Sequence, residues 1–309
     1  MLFNGKASAI PFSVTHNTVA VFYPKTKEPY QSIYQEIISG SDNASIKLKG
    51  STNIQKIILD KKFDSDAIAN QLTEKNIRKV IVLGHSGWKL AKELSKRLLP
   101  NGQKYFQVVS GALPISPGDI SGVSLITDPS DLFSYLKQVA PNVKRIHVAY
   151  SKENNWLIEL AKISAEKQGL MLKLKHVTNT KEAINFYQTL FKSEVSNQDA
   201  IWLPLDRISS NDQVTLPLIL KNAWLKEVVV FSSKPSHAKR GALFSTYPNN
   251  LSLGEHLFTM VQALDKKPGQ KDFSPLTSTM LAVNLRTAAH LGLKYSANQQ
   301  KQFKLTFPK

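Results

Sequence analysis

The chain has 309 residues, 42% of them hydrophobic and 20% charged, with 14 Gly and 15 Pro. That composition excludes collagen-like, low-complexity and wholly disordered chains, and the length suits two lobes that each bury a core. Forty Lys and Arg against 23 Asp and Glu give a net charge of +17, with no cysteine, so disulfides, thiolate metal sites, cysteine nucleophiles and a lipid-anchored N-terminal Cys are excluded.

The positive charge raises nucleic acid as a partner. Along the chain, however, the excess is even. Residues 1–125 hold 16 Lys/Arg against 9 Asp/Glu, the rest 24 against 14. The densest clusters, Lys61-Lys62, Lys239-Arg240 and Lys266-Lys267, are only pairs, and no zinc-finger spacing, aromatic-basic sheet motif or arginine-rich arm accompanies them. General basicity, with no nucleic-acid partner, is the expectation. No apolar run reaches the ~18–20 residues that span a bilayer, so stable membrane insertion is not expected.

Met1 to Pro11 lacks the apolar core of a secretory signal, yet Ala7-Ser8-Ala9 has the small-x-small form of a cleavage site. The first 15 residues read either as a surface tail or as the segment after a signal that begins upstream. Next comes the run Val19 to Tyr23, then Ile46-Lys-Leu48, Lys79 to Gly84, Phe106 to Val109, Arg145 to Tyr150, Leu170 to Leu174, Ala200 to Leu203 and Val228 to Phe231. Between them apolar residues recur at three- and four-residue steps: Ile33, Tyr34, Ile37 and Ile38; Ala67, Ile68 and Leu72; Leu90, Ala91, Leu94 and Leu98; Trp156, Leu157, Leu160 and Ala161. Ser65 or Asp64, Ser86 and Thr180 are suited to cap three of these helices. Strands alternating with helices of this length predict βαβ crossovers and parallel sheets. The series runs twice, each half opening on a strand and a Tyr-led polar loop, Tyr23-Pro-Lys-Thr-Lys and Tyr150-Ser-Lys-Glu-Asn. The Gly-, Pro- and Ser-rich stretch from Ser110 to Val123 reads as the connection between halves. A helix over Leu251 to Leu264 and a strand-helix unit from Met280 to Gly292 complete the chain.

Several stretches carry a resemblance: Ile120-Ser-Gly-Val123, Ala140-Pro-Asn-Val-Lys-Arg-Ile-His-Val-Ala-Tyr150, Asp199-Ala-Ile-Trp-Leu-Pro-Leu-Asp206, Arg240-Gly-Ala-Leu, Leu253-Gly254 and Val283-Asn-Leu-Arg-Thr-Ala-Ala-His-Leu-Gly-Leu293. In this order they resemble the ABC transporter substrate-binding protein family, periplasmic binding proteins of type I, in the branch linked to small amino-acid-like ligands. The resemblance covers about residues 105–295. It implies an α/β chain of two Rossmann-like lobes with parallel sheets joined by a multi-strand hinge. The lobes are expected at 16–120, with a return segment about 250–295, and at 121–249, flanked by tails 1–15 and 296–309. It further implies a periplasmic, non-catalytic monomer without cofactor or metal that presents a small-molecule ligand to an ABC permease or membrane sensor. Two positions depart from the family pattern. Arg207 follows Asp206 where Asn is common, and Gly84-His85-Ser86 stands where Gly-Thr is expected.

Ligands of open α/β sheets sit outside the carboxyl ends of the strands, among loops and helix N-termini that favour anions. The candidates in the first half are Lys25, Thr26, Tyr30, His85, Ser86 and Trp88. In the second they are Asn154, Asn155, Asp206, Arg207, Ser233 and Lys234. Lys25 or Arg207 suits a carboxylate and Asp206 an ammonium group. Trp88 or Trp156 suits a planar ligand. Each also has a plainer role: Trp156 and Trp88 lie beside core stripes, Asp206 is placed to cap a helix, Lys25 to face solvent, and Asn284 to bond internally at a turn.

One enzymatic alternative stands beside this. Gly84-His85-Ser86 matches the first half of a Gly-x-Ser-x-Gly nucleophile elbow, with Asp206, His237 or His256 to complete a serine hydrolase. Its last position is the bulky Trp88, and no His-Gly-Gly segment precedes it. The chain has no His-Glu-x-x-His zinc motif, phosphate-binding loop or dinucleotide fingerprint. Only about 18 residues precede the first strand, too few for the helix-turn-helix of a regulator built on this fold.

Overall fold

The computed structural model describes residues 17–48, 52–193, 195–264 and 271–308. The expected tail with Ala7-Ser8-Ala9 and the Lys266-Lys267 pair lie outside them.

Lobe 1 is a six-stranded, all-parallel sheet. Its elements are β1 (Asn17–Pro24), α1 (Tyr30–Lys47), β2 (Thr52–Leu59), α2 (Ser65–Glu74), β3 (Lys79–Leu83), α3 (Gly84–Leu94), β4 (Gln107–Gly111) and β5 (Ser121–Thr127). The strand order is β11-β5-β4-β3-β1-β2, where β11 (Phe273–Leu276) returns late in the chain. Lobe 2 contains α4 (Pro129–Val139), β6 (Arg145–Tyr150), α5 (Asn155–Lys167), β7 (Met171–His176), α6 (Thr180–Lys192), β8 (Asp199–Leu203), α7 (Thr215–Leu225), β9 (Val229–Ser232), α8 (Pro235–Arg240) and β10 (Phe244–Pro248). Here the order is β13-β12-β10-β9-β8-β6-β7, with β12 (Thr279–Asn284) antiparallel to β10 and β13 (Leu305–Phe307) parallel to β12. Helices α9 (Asn250–Ala263), α10 (Leu285–His290) and α11 (Ala297–Gln302) complete the chain.

Both sheets bury their central strands on two faces, which is why β3 and β8 read as continuous apolar runs. In lobe 1 one face packs Val19, Ile81 and Val109 under α1 and α9, and the other packs Ala20, Val80 and Val108 under α2 and α3. Lobe 2 divides in the same way around Trp202 and Phe133 on one side and Tyr187 and Ile201 on the other.

Four expectations change. Ile46-Lys-Leu48 is the end of α1 and its exit, and the second strand is β2, where half-buried residues alternate with exposed ones because it is a sheet edge. Residues 121–127, expected in lobe 2, pair with β4 in lobe 1. The return segment is shorter than 250–295. Helix α9 packs on α1 and β11 extends the lobe 1 sheet, but β12 and the elements after it belong to lobe 2. Residues 296–309 are therefore not simply a tail, since α11 and β13 lie within them. Helix α9 returns because its backbone nests on α1: a Cβ on Gly254 would stand 1.8 Å from Ile37 O, and one on Gly40 2.0 Å from Leu251 O. Two glycines at one crossing permit that approach.

Three crossovers join the lobes, after β5, after β10 and after β11. They are tied by Thr127 Oγ1 and Thr246 Oγ1 at 2.9 Å, by Asp128 N–H donating to Leu276 O at 2.9 Å and by Asn249 N–H donating to Ser278 O at 3.1 Å. This is the multi-strand hinge.

Candidate functional site

In lobe 1 the chain leaves β1 toward β2 on one side and toward β3 on the other. In lobe 2 it divides likewise between β6 and β8. Such switch points open a crevice at the carboxyl ends of the strands. The loops there are Pro24 to Pro29 and Gly84 to Ser86 in lobe 1, and Ser151 to Asn154 and Pro204 to Ser209 in lobe 2. Ten of the twelve residues singled out by sequence lie on these loops or the first turns beyond them. Ser233 and Lys234 follow β9, one strand away.

Among the helices that follow a parallel strand of their own lobe at this end, α2 and α6 have side-chain caps from their N-cap residues, whereas α1, α3, α5, α7 and α8 have none. Asp64 caps α2 through Asp66 N and Ala67 N, and Asn179 caps α6 through Glu182 N. No side chain caps α3, whose N-cap is Leu83, or α5, whose N-cap is Asn154. Ser86 is thus inside the first turn of α3 and not its cap, and Asn179, not Thr180, caps α6. First-turn N–H groups without side-chain acceptors, reinforced by the helix dipole, suit an anionic group. Gly84 makes the turn into α3 at φ +70, where a Cβ would lie 2.4 Å from Tyr34 Oη. Ala112, just beyond β4, holds φ +61 without being glycine, a strained conformation of the kind found where a loop is built for a ligand.

The side chains fall into two groups. Lys25, Tyr30, His85, Asn155 and Arg207 are exposed, and Thr26 and Ser86 are half-buried. Asp206 is buried, and its four acceptor positions are filled from its own lobe. Oδ2 receives Ser151 N at 2.7 Å and Asn154 Nδ2 at 2.8 Å; Oδ1 receives Ile208 N at 2.9 Å and Ser209 N at 3.0 Å. Burial pushes its pKa up, but these donors outweigh burial and leave it below the ordinary carboxylate value. Its geometry corrects the ammonium-acceptor reading: Asp206 joins the loops after β6 and β8.

Lys234 and Ser233 belong to a second brace. Lys234 Nζ pairs with Asp212 Oδ2; Asp212 Oδ1 lies 2.8 Å from His237 Nε2, and His237 Nδ1 lies 2.8 Å from Ser232 Oγ. Burial pulls the His237 imidazole below its ordinary value; its Nε2 faces the Asp212 carboxylate, and Ser232 Oγ, which donates to Leu203 O at 3.0 Å, lies against Nδ1. This serine-imidazole-carboxylate array has the connectivity of a hydrolase triad. Its serine is fully buried and also receives Lys234 N at 3.1 Å, so the array anchors the loop after β9. Sequence reading missed it because 25 residues separate Asp212 from His237. Ser86, the proposed nucleophile, has no imidazole within hydrogen-bond distance among the described residues.

Neither candidate tryptophan stands free in the crevice. Trp88 packs on the lobe 1 core with Lys92 Nζ 5.5 Å above its ring. Trp156 reaches from α5 to lobe 1, donating from Nε1 to Ser116 Oγ at 3.2 Å and meeting Phe273 edge-to-face at 5.4 Å. Asn284 bonds internally, to Ala238 O and Thr287 N. No group of three His, Asp or Glu residues suited to a metal occurs among the described residues.

A family profile described as ABC transporter substrate binding protein matches residues 112–303, well over half of the chain. The chain belongs to this family. Solved structures agree on the fold. A ligand-free, open substrate-binding protein with adhesive properties from Clostridium difficile aligns with TM-score 0.61 and 16% identity over 94% of this chain and 99% of that one. An ABC domain from Streptococcus pneumoniae in complex with L-Trp aligns with TM-score 0.53 and 19% identity over 94% of this chain and all of that one. No curated protein matches the chain. As a member of the family, it has a solute-binding role.

Proposed function

We propose that the protein captures a small polar or anionic solute, amino-acid-like in size and chemistry, between its two lobes, and releases it to an ABC permease or membrane sensor in the periplasm. The reading rests on one observation above all: the helices that start at the facing switch points, α1 and α3 in lobe 1 and α5 in lobe 2, have no N-cap side chain bonded to their first turns. On this reading an anionic group of the solute takes the N–H groups of His85 and Ser86, with Lys25 adding charge. Thr26 and Tyr30 approach from the same lobe, Asn155 and Arg207 from the other, and hinge closure about the three crossovers brings the sets together. Asn154 and Lys234 act indirectly, by holding their loops. No bond of the solute is made or broken.

Isothermal calorimetry and thermal-shift assays against amino acids, small carboxylates and inorganic phosphate test this, with L-tryptophan included because the pneumococcal neighbour holds it. A ligand that binds only the folded form raises the melting temperature. The expected result is such a rise, weakened by Lys25→Ala. No rise with any compound would overturn the reading. Hydrolysis of p-nitrophenyl esters abolished by Ser86→Ala would replace it with the hydrolase alternative.

A further inference from the structure

The net charge of +17 is even along the chain, but the fold does not leave it even in space. Strands β6, β7, β8, β9 and β10 are mutually parallel, so the helices that precede them, α4 to α8, end at the pole of lobe 2 remote from the crevice. Those ends are basic: Lys137 on α4, Lys167 on α5, Lys192 on α6, Lys226 just beyond α7 and Arg240 on α8. Because β12 runs the other way, α10 starts at the same pole and adds Arg286. All six are exposed, and none forms an ion pair with a described residue. The described acids at this end are Glu166, Glu227 and Asp199, the last neutralised by Arg145 with both contacts at 2.7 Å. Asp128, Asp131, Glu153, Glu182 and Asp212 lie toward the opposite, crevice end.

Basic last turns compensate helix dipoles, but each helix end carries only about half a negative charge, too little to cancel this excess. The pole also carries apolar surface. Trp224 and Leu225, closing α7, are 38% and 70% exposed. Arg286 lies 5.7 Å above the Trp224 ring, and His290 stacks on it at 3.6 Å. A tryptophan beside an arginine within a basic field matches the headgroup region of an anionic bilayer, where lysines and arginines meet lipid phosphates and an indole sits at the boundary. We infer that the far pole of lobe 2 is a peripheral docking surface for anionic phospholipid. Attachment is electrostatic and shallow, since no helix among the described residues is long and apolar enough to cross a membrane.

Vesicle flotation tests this on the full chain. Vesicles of phosphatidylcholine with about 30% phosphatidylglycerol should carry the protein at about 50 mM salt and release it at about 500 mM, because screening shortens the reach of the field. Pure phosphatidylcholine should carry little. Combined Lys226→Glu, Arg240→Glu and Arg286→Glu should lower binding about tenfold or more, and Trp224→Ala should lower it severalfold. Lys226→Gln and Arg286→Gln, tested singly, give the same direction with a milder change should the triple variant fold poorly. Lys61→Glu with Lys62→Glu, on lobe 1, should leave binding intact. Equal binding to both vesicle types, an unaffected pole variant, an equal loss from the lobe 1 variant, or tighter retention by duplex DNA than by the anionic vesicles at the same salt would overturn the inference.

Discussion

The two faces of the crevice share a topology and differ in how they are held. On lobe 2 the loops after β6, β8 and β9 are wired by carboxylates: Asp206 receives four hydrogen bonds, and Asp212 holds both Lys234 and His237. On lobe 1 the corresponding side chains make few bonds. Thr26 reaches only the neighbouring Lys27 O at 3.4 Å, and Lys25, His85 and Ser86 make no side-chain hydrogen bond among the described residues. Lobe 1 obtains its loop shape from backbone, through Gly84 at positive φ and the strained Ala112. One rim is thus preorganised and largely spent on itself, and the other leaves Lys25, His85 and Ser86 without side-chain hydrogen bonds among the described residues. Preorganisation lowers the ordering cost of binding on one side; on the proposed function, the groups of the other would supply contacts.

The sharpest way to break this contrast is Asp206→Ala. It strands Ser151 N, Ile208 N, Ser209 N and the Asn154 amide, and chemical denaturation should show a loss of about 3–5 kcal/mol. A loss below about 1 kcal/mol would mean the rim is not braced there. Next is Gly84→Ala on lobe 1, where positive φ and the close approach of Tyr34 should cost about 1–3 kcal/mol; that measures how far backbone does for lobe 1 what carboxylates do for lobe 2.

Acid titration of the melting temperature isolates the brace further. His237 is pulled down by burial, so below about pH 6.5 the unfolded chain takes the proton first and stability declines as pH falls. For Asp206 and Asp212, burial raises the pKa but hydrogen bonds and Lys234 outweigh it, leaving folded values below ordinary. Their stabilisation is complete above about pH 4 and is lost as pH falls through the folded values. His237→Gln should remove the upper decline and keep the lower one; an unchanged curve would count against a buried neutral imidazole. The smallest effect on stability belongs to Ser86→Ala and Lys25→Ala, within about 0.5 kcal/mol. If either destabilised more than that, lobe 1's rim would be structural too.

Much of this was legible in the residues. The eight runs located seven strands, six because buried parallel strands are nearly continuously apolar and the edge strand β7 because Leu172 and Leu174 alternate with lysines. The edge strand β2 was missed for the complementary reason: half its residues face water. Strand β5 hid in a stretch whose Gly, Pro and Ser suggested a connection; Gly122 is there because a Cβ would meet Ser110 O at 2.5 Å. At the site, sequence named the switch-point loops but not what each side chain does on them. Asp206 depends on Ser151 and Asn154, more than 50 positions away, and Trp156 on Ser116 and Phe273.

Residue order alone determined the α/β rhythm, the doubling into two lobes and the family, since these come from local periodicity and short motifs. Only the tertiary structure decided which lobe receives β5, α9 and β12, which polar groups are consumed by braces, and where an evenly spread charge accumulates. The reason is the same in each case: hydrogen-bond saturation and electrostatic fields depend on distances in space, and parallel topology brings to one end groups that the chain keeps tens of residues apart.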